Sequence, residues 1–376
     1  MASNDFMANV MNAINGVDNY TESNNPIVLG LGFHKFDGNV TTQEVMEQIG
    51  ADFQVEKQPI ARLTPDMMEA ITNGLPIILP PSMIIGTHAA TVNMRDNTTL
   101  GVVGSDYGVI QNTQGLDILD LLCNAEISGG NYQIVSGGLV HDSDPYIQVR
   151  LPNEIRVNGD NSRTDLYASF HTRHDGKGGL KVAISAIRIV CQNTFTANFK
   201  SKTKLNFRHT KNVGQLLNFE SGDNIKRLTK MIEGFNIFSA EHLNKLNALA
   251  KQQITEQYIN EVCNQVFVND AELQKLARQH NYNWDVVSIA NPETPDKPKT
   301  ISVRAQNQIQ AFRNTLESGI GQDTNRGSKY WLYNGLTNYF SNDYEYTSAE
   351  KRFANLTEGT ASEKINSALE FMLAEV

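Results

Sequence analysis

Between residues 131 and 190, apolar and polar side chains trade places at every second position in short runs. The runs are cut by Gly137-Gly138, by Asp142-Ser143-Asp144-Pro145 and by a glycine-rich stretch from Asp175 to Gly179. A period of two is that of a strand with one face turned to a core. Glycine, aspartate and proline supply the dihedrals of tight turns. The segment is therefore expected to form an antiparallel meander, with two or three strands over 133–139, 146–151 and 154–157 and further strands near 166–172 and 181–190. In the last of these, Val182, Ile184 and Ala186 alternate with Ala183, Ser185 and Ile187. Residues 89–95 and 100–103, joined by Asp96-Asn97, read as a hairpin. From 75 to 91 the chain is apolar, but Pro76, Pro80 and Pro81 exclude a continuous helix.

Helical spacing surrounds this core. Thr41 or Thr42 is expected to cap a helix through Gly50, with Glu44 near its start. Thr113 starts another, presenting Leu116, Leu119 and Leu122, with Gly129-Gly130 as its end. Residues 192–200 read as helical or irregular, and 202–208 as a last strand. Beyond Gly214 the period changes to 3.6. Helices are expected near 224–236, 240–254, 255–268, 271–279, 303–316 and 329–340, and from Ser362 onward, with Asp223 and Ser239 as N-caps. The run Asn291 to Thr300 holds three prolines and reads as an exposed linker. The expected class is α+β: a central antiparallel sheet meander with a packed helix, followed by a mainly helical C-terminal region. The corresponding division is 1–87, 88–214 and 215–376.

A chain of 376 residues can bury a sizeable core. It has no run of 18 apolar residues, so no membrane span is expected. Its polar N-terminus lacks the basic start and apolar stretch of a secretory signal. Cys123, Cys191 and Cys263 are odd in number and widely spaced, which fits free thiols in a reducing compartment better than a disulfide framework or zinc knuckle. No Walker A loop, GxGxxG, GxSxG or HExxH motif is present, so no cofactor is expected and an enzyme built on a common cofactor is not supported.

The net charge is −9, but it is unevenly placed. Residues 171–211 carry nine basic side chains against Asp175 alone, inside an otherwise acidic chain. One reading is a solvated face that pairs with acidic neighbours. The other is a groove for a polyanion, most simply nucleic acid. On a strand, Lys200, Lys202, Lys204, Asn206 and Arg208 would share one face, with Thr203, Leu205 and Phe207 on the other. The same pattern also suits an edge strand guarded by lysines against aggregation. Arg173 and Lys177 lie in the glycine-rich loop, whose backbone N–H groups could receive an anion. Lys181 opens the next strand. Arg188 sits in the phase of Val182 and Ile184, where a charge needs a partner or ligand. Asn193 and Lys211 complete the set. Phe170, Phe195, Phe199 and Phe207 are core residues or stacking platforms for bases. His171 and His174 are three apart, which on a strand puts them on opposite faces and makes a metal site a weak reading.

Taken in order, VNMRD (92–96), LGVVGSDYGVIQN (100–112), SGGL (136–139), SFHTRHDGKGG (169–179), IRIVCQNTF (187–195) and RHT (208–210) resemble the phage/plasmid-like proteins grouped under a domain of unknown function. Gly327-Ser328-Lys329-Tyr330-Trp331-Leu332-Tyr333-Asn334 is similar to a run near their C-terminal end. The resemblance implies a phage-encoded protein in the host cytoplasm, near replication and recombination functions. In outline, a meander with a helix on it and a basic hairpin is similar to single-strand annealing proteins of the RecT and Redβ kind. The leading expectation is a phage-type single-strand DNA annealing protein that acts as a homo-oligomer. Arg173, Lys177, Lys181, Lys200, Lys202, Lys204, Arg208 and Lys211 would hold phosphates, and Arg188 and Asn193 would shape the groove. Two alternatives stand beside it: a structural or host-takeover protein whose basic segment meets an acidic protein surface, and a metal-dependent nuclease using His171, His174 and Asp175.

Overall fold

Two antiparallel sheets meet at one loop, residues 172–179. The computed structural model describes residues 34–36, 40–115, 120, 132–188, 193–195, 205–211, 222–284, 286–289, 299–357 and 359–374. The larger sheet is a meander in the order β1 (His34–Lys35), β5 (Gln133–Val140), β6 (Asp144–Ile155), β7 (Thr164–His171), β8 (Leu180–Arg188) and β10 (Leu205–Phe207). β9 (Asn193–Phe195) also pairs with β8, opposite Ala186 to Arg188. The smaller sheet is β2 (Val55–Ala61), β3 (Ile84–Asn93) and β4 (Thr99–Gly104). The expected Asp96-Asn97 turn joins β3 to β4. Asn97 takes a positive φ of 60°, and Asp96 Oδ1 accepts the Thr98 N–H at 2.9 Å.

Every residue of β7 is buried, so its two faces pack on different layers. Leu166, Ala168 and Phe170 join the main core. Helix α1 (Thr42–Gln48) lies over that face, with Ile49 against the Gly137–Ile147 pair. Of the two expected candidates it is Thr41 that caps α1, in a reciprocal capping box with Glu44. The other face carries a polar stripe. Ser136 donates to Gln148, Gln148 to the Tyr146 hydroxyl at 3.1 Å, and Tyr146 to Ser169 at 2.9 Å. Phe353, in a C-terminal helix, covers this stripe edge-on to Tyr146, 4.8 Å between centroids.

One alternative left open by the sequence is settled, and one separation is overturned. The strands near 146–151 and 154–157 are one strand, β6, because Pro152, which has no N–H to give, falls in a register shift between Arg150 and Glu154. The helices near 224–236 and 240–254 are one 29-residue helix, α3 (Gly222–Ala250). Ser239 therefore lies inside a helix rather than ahead of one, and Asp223 is that helix's second residue. No proline or glycine falls between Phe235 and Ala250, and the stripe Leu243, Leu246, Leu249 continues onto the main core, so the chain has reason to go on. Helices α4 (Glu256–Phe267) and α5 (Ala271–Gln279) follow, capped by Thr255 and Asp270. α6 (Val303–Ser318) then leads to α7 (Lys329–Asn338), all ten of whose residues are buried. A π-helical turn, Tyr339–Asp343, continues α7, and α8 (Ala349–Thr357) and α9 (Thr360–Leu373) close the chain.

The helical region and the meander share one core, which runs from Phe36 to Met372. At its centre the Tyr330 hydroxyl donates to Asp160 Oδ2 at 2.9 Å, tying α7 to the turn after β6. Residues 65–72 form α2 (Pro65–Thr72), which no expectation included. Thr64 caps it, Pro65 is its first residue, and none of its side chains is buried. Among the described residues, no helix is long and apolar enough to cross a membrane.

Candidate nucleic-acid interface

The glycine-rich loop between β7 and β8 is built around Arg173. Its Nη2 donates to Asp175 Oδ2 at 2.5 Å, and its Nε lies 3.5 Å from Asp144 Oδ2. Asp175 also accepts the Lys177 N–H at 2.9 Å. Burial alone would raise the Asp175 carboxyl, but these partners hold it below its ordinary range. Asp144 is more enclosed, and burial raises it to about 6 against the pull of Arg173. The one acid of the basic segment is thus turned inward and neutralised, and so is Arg173. The glycines serve close approach. Gly176 takes a φ of +78°. A Cβ at Gly178 would come within 2.9 Å of Arg173 Cδ, and one at Gly179 would strike the Phe207 carbonyl of β10.

Beneath the loop lies a layer of buried rings. His174 is fully buried, with Nε2 2.8 Å from Asn112 Oδ1. The Asn112 amide itself donates to the Ala51 carbonyl, so its oxygen faces a His174 N–H. Thr91 of β3 donates to the His174 carbonyl at 2.6 Å, which joins the two sheets. Burial first, then the neighbouring His209, lowers the His174 pKa to about 3. His209 stacks on Tyr107, and Tyr107 donates to the Arg173 carbonyl at 3.4 Å. His171 faces the other way, between Tyr146 and Phe353, and burial lowers it to about 3. The two histidines of the weak metal reading therefore have different neighbours. Among the described residues, no group of three or more His, Cys, Asp or Glu could hold a metal ion.

The cations that face solvent follow the β10 edge. Lys177, Arg208 and Lys211 are exposed, and Lys181 is half-buried opposite Asn206 in the β8–β10 register. Among the described residues, Lys177, Arg208 and Lys211 form no salt bridge. The alternation expected for the last strand holds over its described part: Asn206 and Arg208 are exposed, and Phe207 packs on the core. Lys211 also lines a cleft of about 440 Å³ with Lys57, Glu56, Asp106 and Tyr107. Lys57 and Tyr107 escaped the sequence reading. Their only signal was the YGVIQN run of the family resemblance, which marks Tyr107 but not Lys57.

Arg188 and Asn193 are register partners at the β8–β9 turn. Lys200, Lys202 and Lys204 fall outside the described residues, as do Phe199, Cys123 and Cys191 and the apolar positions 116, 119 and 122 of the expected Thr113 helix. Cys263 is buried, and burial pushes its thiol up to about 12.

A family model described as "Domain of unknown function (DUF932)" matches residues 99–362. No curated protein and no solved structure matches the chain.

Proposed function

The chain belongs to the family described as Domain of unknown function (DUF932), whose description carries no reaction, and we propose from the chemistry of its surface that it binds nucleic acid, with single-stranded DNA favoured. The reading extends to a phage-encoded annealing protein that works as a homo-oligomer in the host cytoplasm. The observation that carries it is the β10 edge: Lys177, Arg208 and Lys211 face solvent while the segment's only acid is held inward by Arg173. Such an edge can follow a phosphate backbone, and the exposed Asn206 between the cations can hydrogen-bond sugar or base. Lys200, Lys202 and Lys204 would extend the same track by sequence. Arg173 holds the loop that presents Lys177 rather than a phosphate.

The test is fluorescence anisotropy of labelled single-stranded and duplex DNA at low and moderate salt. Single-strand affinity should fall with salt, by about 0.7 in log–log slope for each phosphate contact. Arg208→Glu with Lys211→Glu should flatten that slope by one to two contacts' worth. An unchanged slope, or no binding at low salt, would remove the reading.

A second reading, a protein-interaction factor, is favoured by the small sheet. Ile84 and Val102 are exposed there, as are Leu75 and Ile78 in the loop before β3, and Ile78 is 88% exposed. Self-association that persists at high salt, with no DNA binding, would select it.

A further inference from the structure

A second cation pair lies far along the chain from the β10 edge. Arg304, near the start of α6, and Lys364, in the first turns of α9, line one cavity of about 240 Å³. Not one of its lining residues is an aspartate or a glutamate. Arg304 is held in place by Tyr344, whose hydroxyl accepts from its Nη2 at 3.2 Å. Lys364 is half-buried, its Nζ 5.5 Å from the Phe267 ring centroid. Among the described residues, neither cation has a carboxylate partner. Burial and the nearby Arg304 both lower the Lys364 pKa. Two like charges lining one cavity repel, and an anion between them would relieve that repulsion and, for half-buried Lys364, part of its lost hydration.

The walls narrow the choice of anion. Tyr344 and Tyr346 are half-buried, with ring centroids 4.8 Å apart. Both also line a neighbouring cleft of about 860 Å³, so they form the divide between the two spaces. Gln308 and Asn355 also line the smaller cavity; Asn355 Nδ2 already donates to the Lys351 carbonyl at 2.9 Å, which leaves its oxygen to accept. The π-helical turn Tyr339–Asp343 sets this divide, and such turns recur at functional sites. Arg352 pins the turn from below by donating to the Ser341 carbonyl, at 3.1 Å from Nε and 2.5 Å from Nη2.

We propose that this cavity binds a mononucleotide, with its phosphate between Arg304 and Lys364 and its base against Tyr344 and Tyr346. The amides give hydrogen bonds to the base edge, and the larger cleft accepts whatever extends past the tyrosines. The site is separate from the β10 edge and stands whether or not that edge binds DNA.

Titration calorimetry on the full chain tests it, with adenosine 5′-monophosphate, uridine 5′-monophosphate, adenosine and inorganic phosphate as probes. At least one nucleotide should bind about tenfold more tightly than either adenosine or phosphate, because both halves contribute. Arg304→Gln and Lys364→Gln should each weaken nucleotide binding about tenfold, the worth of one charge-assisted hydrogen bond. Tyr346→Leu should weaken the nucleotide but not phosphate, and Lys275→Glu, on the exposed side of α5, should change neither. Arg304 is exposed, so its variant decides the matter even if the Lys364 variant fails to fold. Equal affinity for phosphate and nucleotide would reduce the cavity to a bare anion site and overturn the proposal. So would binding that Arg304→Gln leaves unchanged, or no binding by the wild-type chain.

Discussion

The Tyr107 ring lies parallel to the imidazole of His209, with centroids 4.5 Å apart and planes 10° from each other. His209 in turn meets His174 edge-on at 5.8 Å. The Tyr107 ring covers one face of His209, and burial lowers the pKa of both histidines. His171 is held in the same way on the far side of β7.

Acid should therefore destabilise the fold early. The folded pKa of His171 and of His174 lies near about 3, against an ordinary 6.5. Between those values the unfolded chain binds more protons than the folded one, so stability falls as pH drops below about 6.5 and levels off only near the folded values. Asp144, raised to about 6, acts in the opposite sense: it favours the folded state as pH falls toward its unfolded value, and so blunts the loss without cancelling two histidines. Melting temperature measured from about pH 8 down to about pH 4 should show a steep decline below about pH 6. Because His171 Nε2 has no hydrogen-bond partner, His171→Phe should make that decline shallower. A flat profile in the wild type would refute the account.

Gly179→Ala should separate the edge from the sheet. The added methyl strikes the Phe207 carbonyl, so β10 must shift from its place beside Leu180. The cost should be about 1–3 kcal/mol in urea unfolding, as for other overpacked sites. DNA affinity should fall although no charge is lost. Unaltered stability would mean that β10 moves aside freely, and the edge would then have no fixed geometry.

Removing Arg173 should act on stability rather than on salt dependence. Arg173→Met leaves Asp144 and Asp175 facing each other with their cation gone. The expected loss is about 2–4 kcal/mol at neutral pH, smaller in acid where Asp144 is protonated, and partly restored by adding Asp175→Asn. The slope of DNA affinity against salt should stay as in the wild type. A slope reduced by one contact would place Arg173 on the phosphates after all.

Much of this architecture could be read from local chemistry. The Thr41–Glu44 capping box, the Asp96-Asn97 turn and the span Ala271–Gln279 behind Asp270 each carry their own signal. The long α3 was misjudged because Ser239 looked like a cap, whereas the packing of Leu243, Leu246 and Leu249 overrides it. α2 has an N-terminal helix signature in Thr64-Pro65-Asp66, but its eight residues bury none of their side chains, so no core-facing stripe marks it. The candidate site was half legible. Its cations stood out by count, but that Arg173 is matched by Asp144 depends on strand pairing across β6 and β7. The Arg304–Lys364 cavity joins residues sixty positions apart in an acidic region, where no charge count marks them.

The bond from Tyr330 to Asp160 spans 170 positions. At about 5–20 residues per second, a ribosome needs roughly 10–30 s to make the intervening chain. Throughout that time the nascent meander holds a carboxylate whose phenol has not yet been synthesised, and its core still lacks the fully buried α7. The meander's core is thus completed only by sequence made after it. A newly made chain is most exposed to proteases and to wrong pairing in the interval before its last helices emerge.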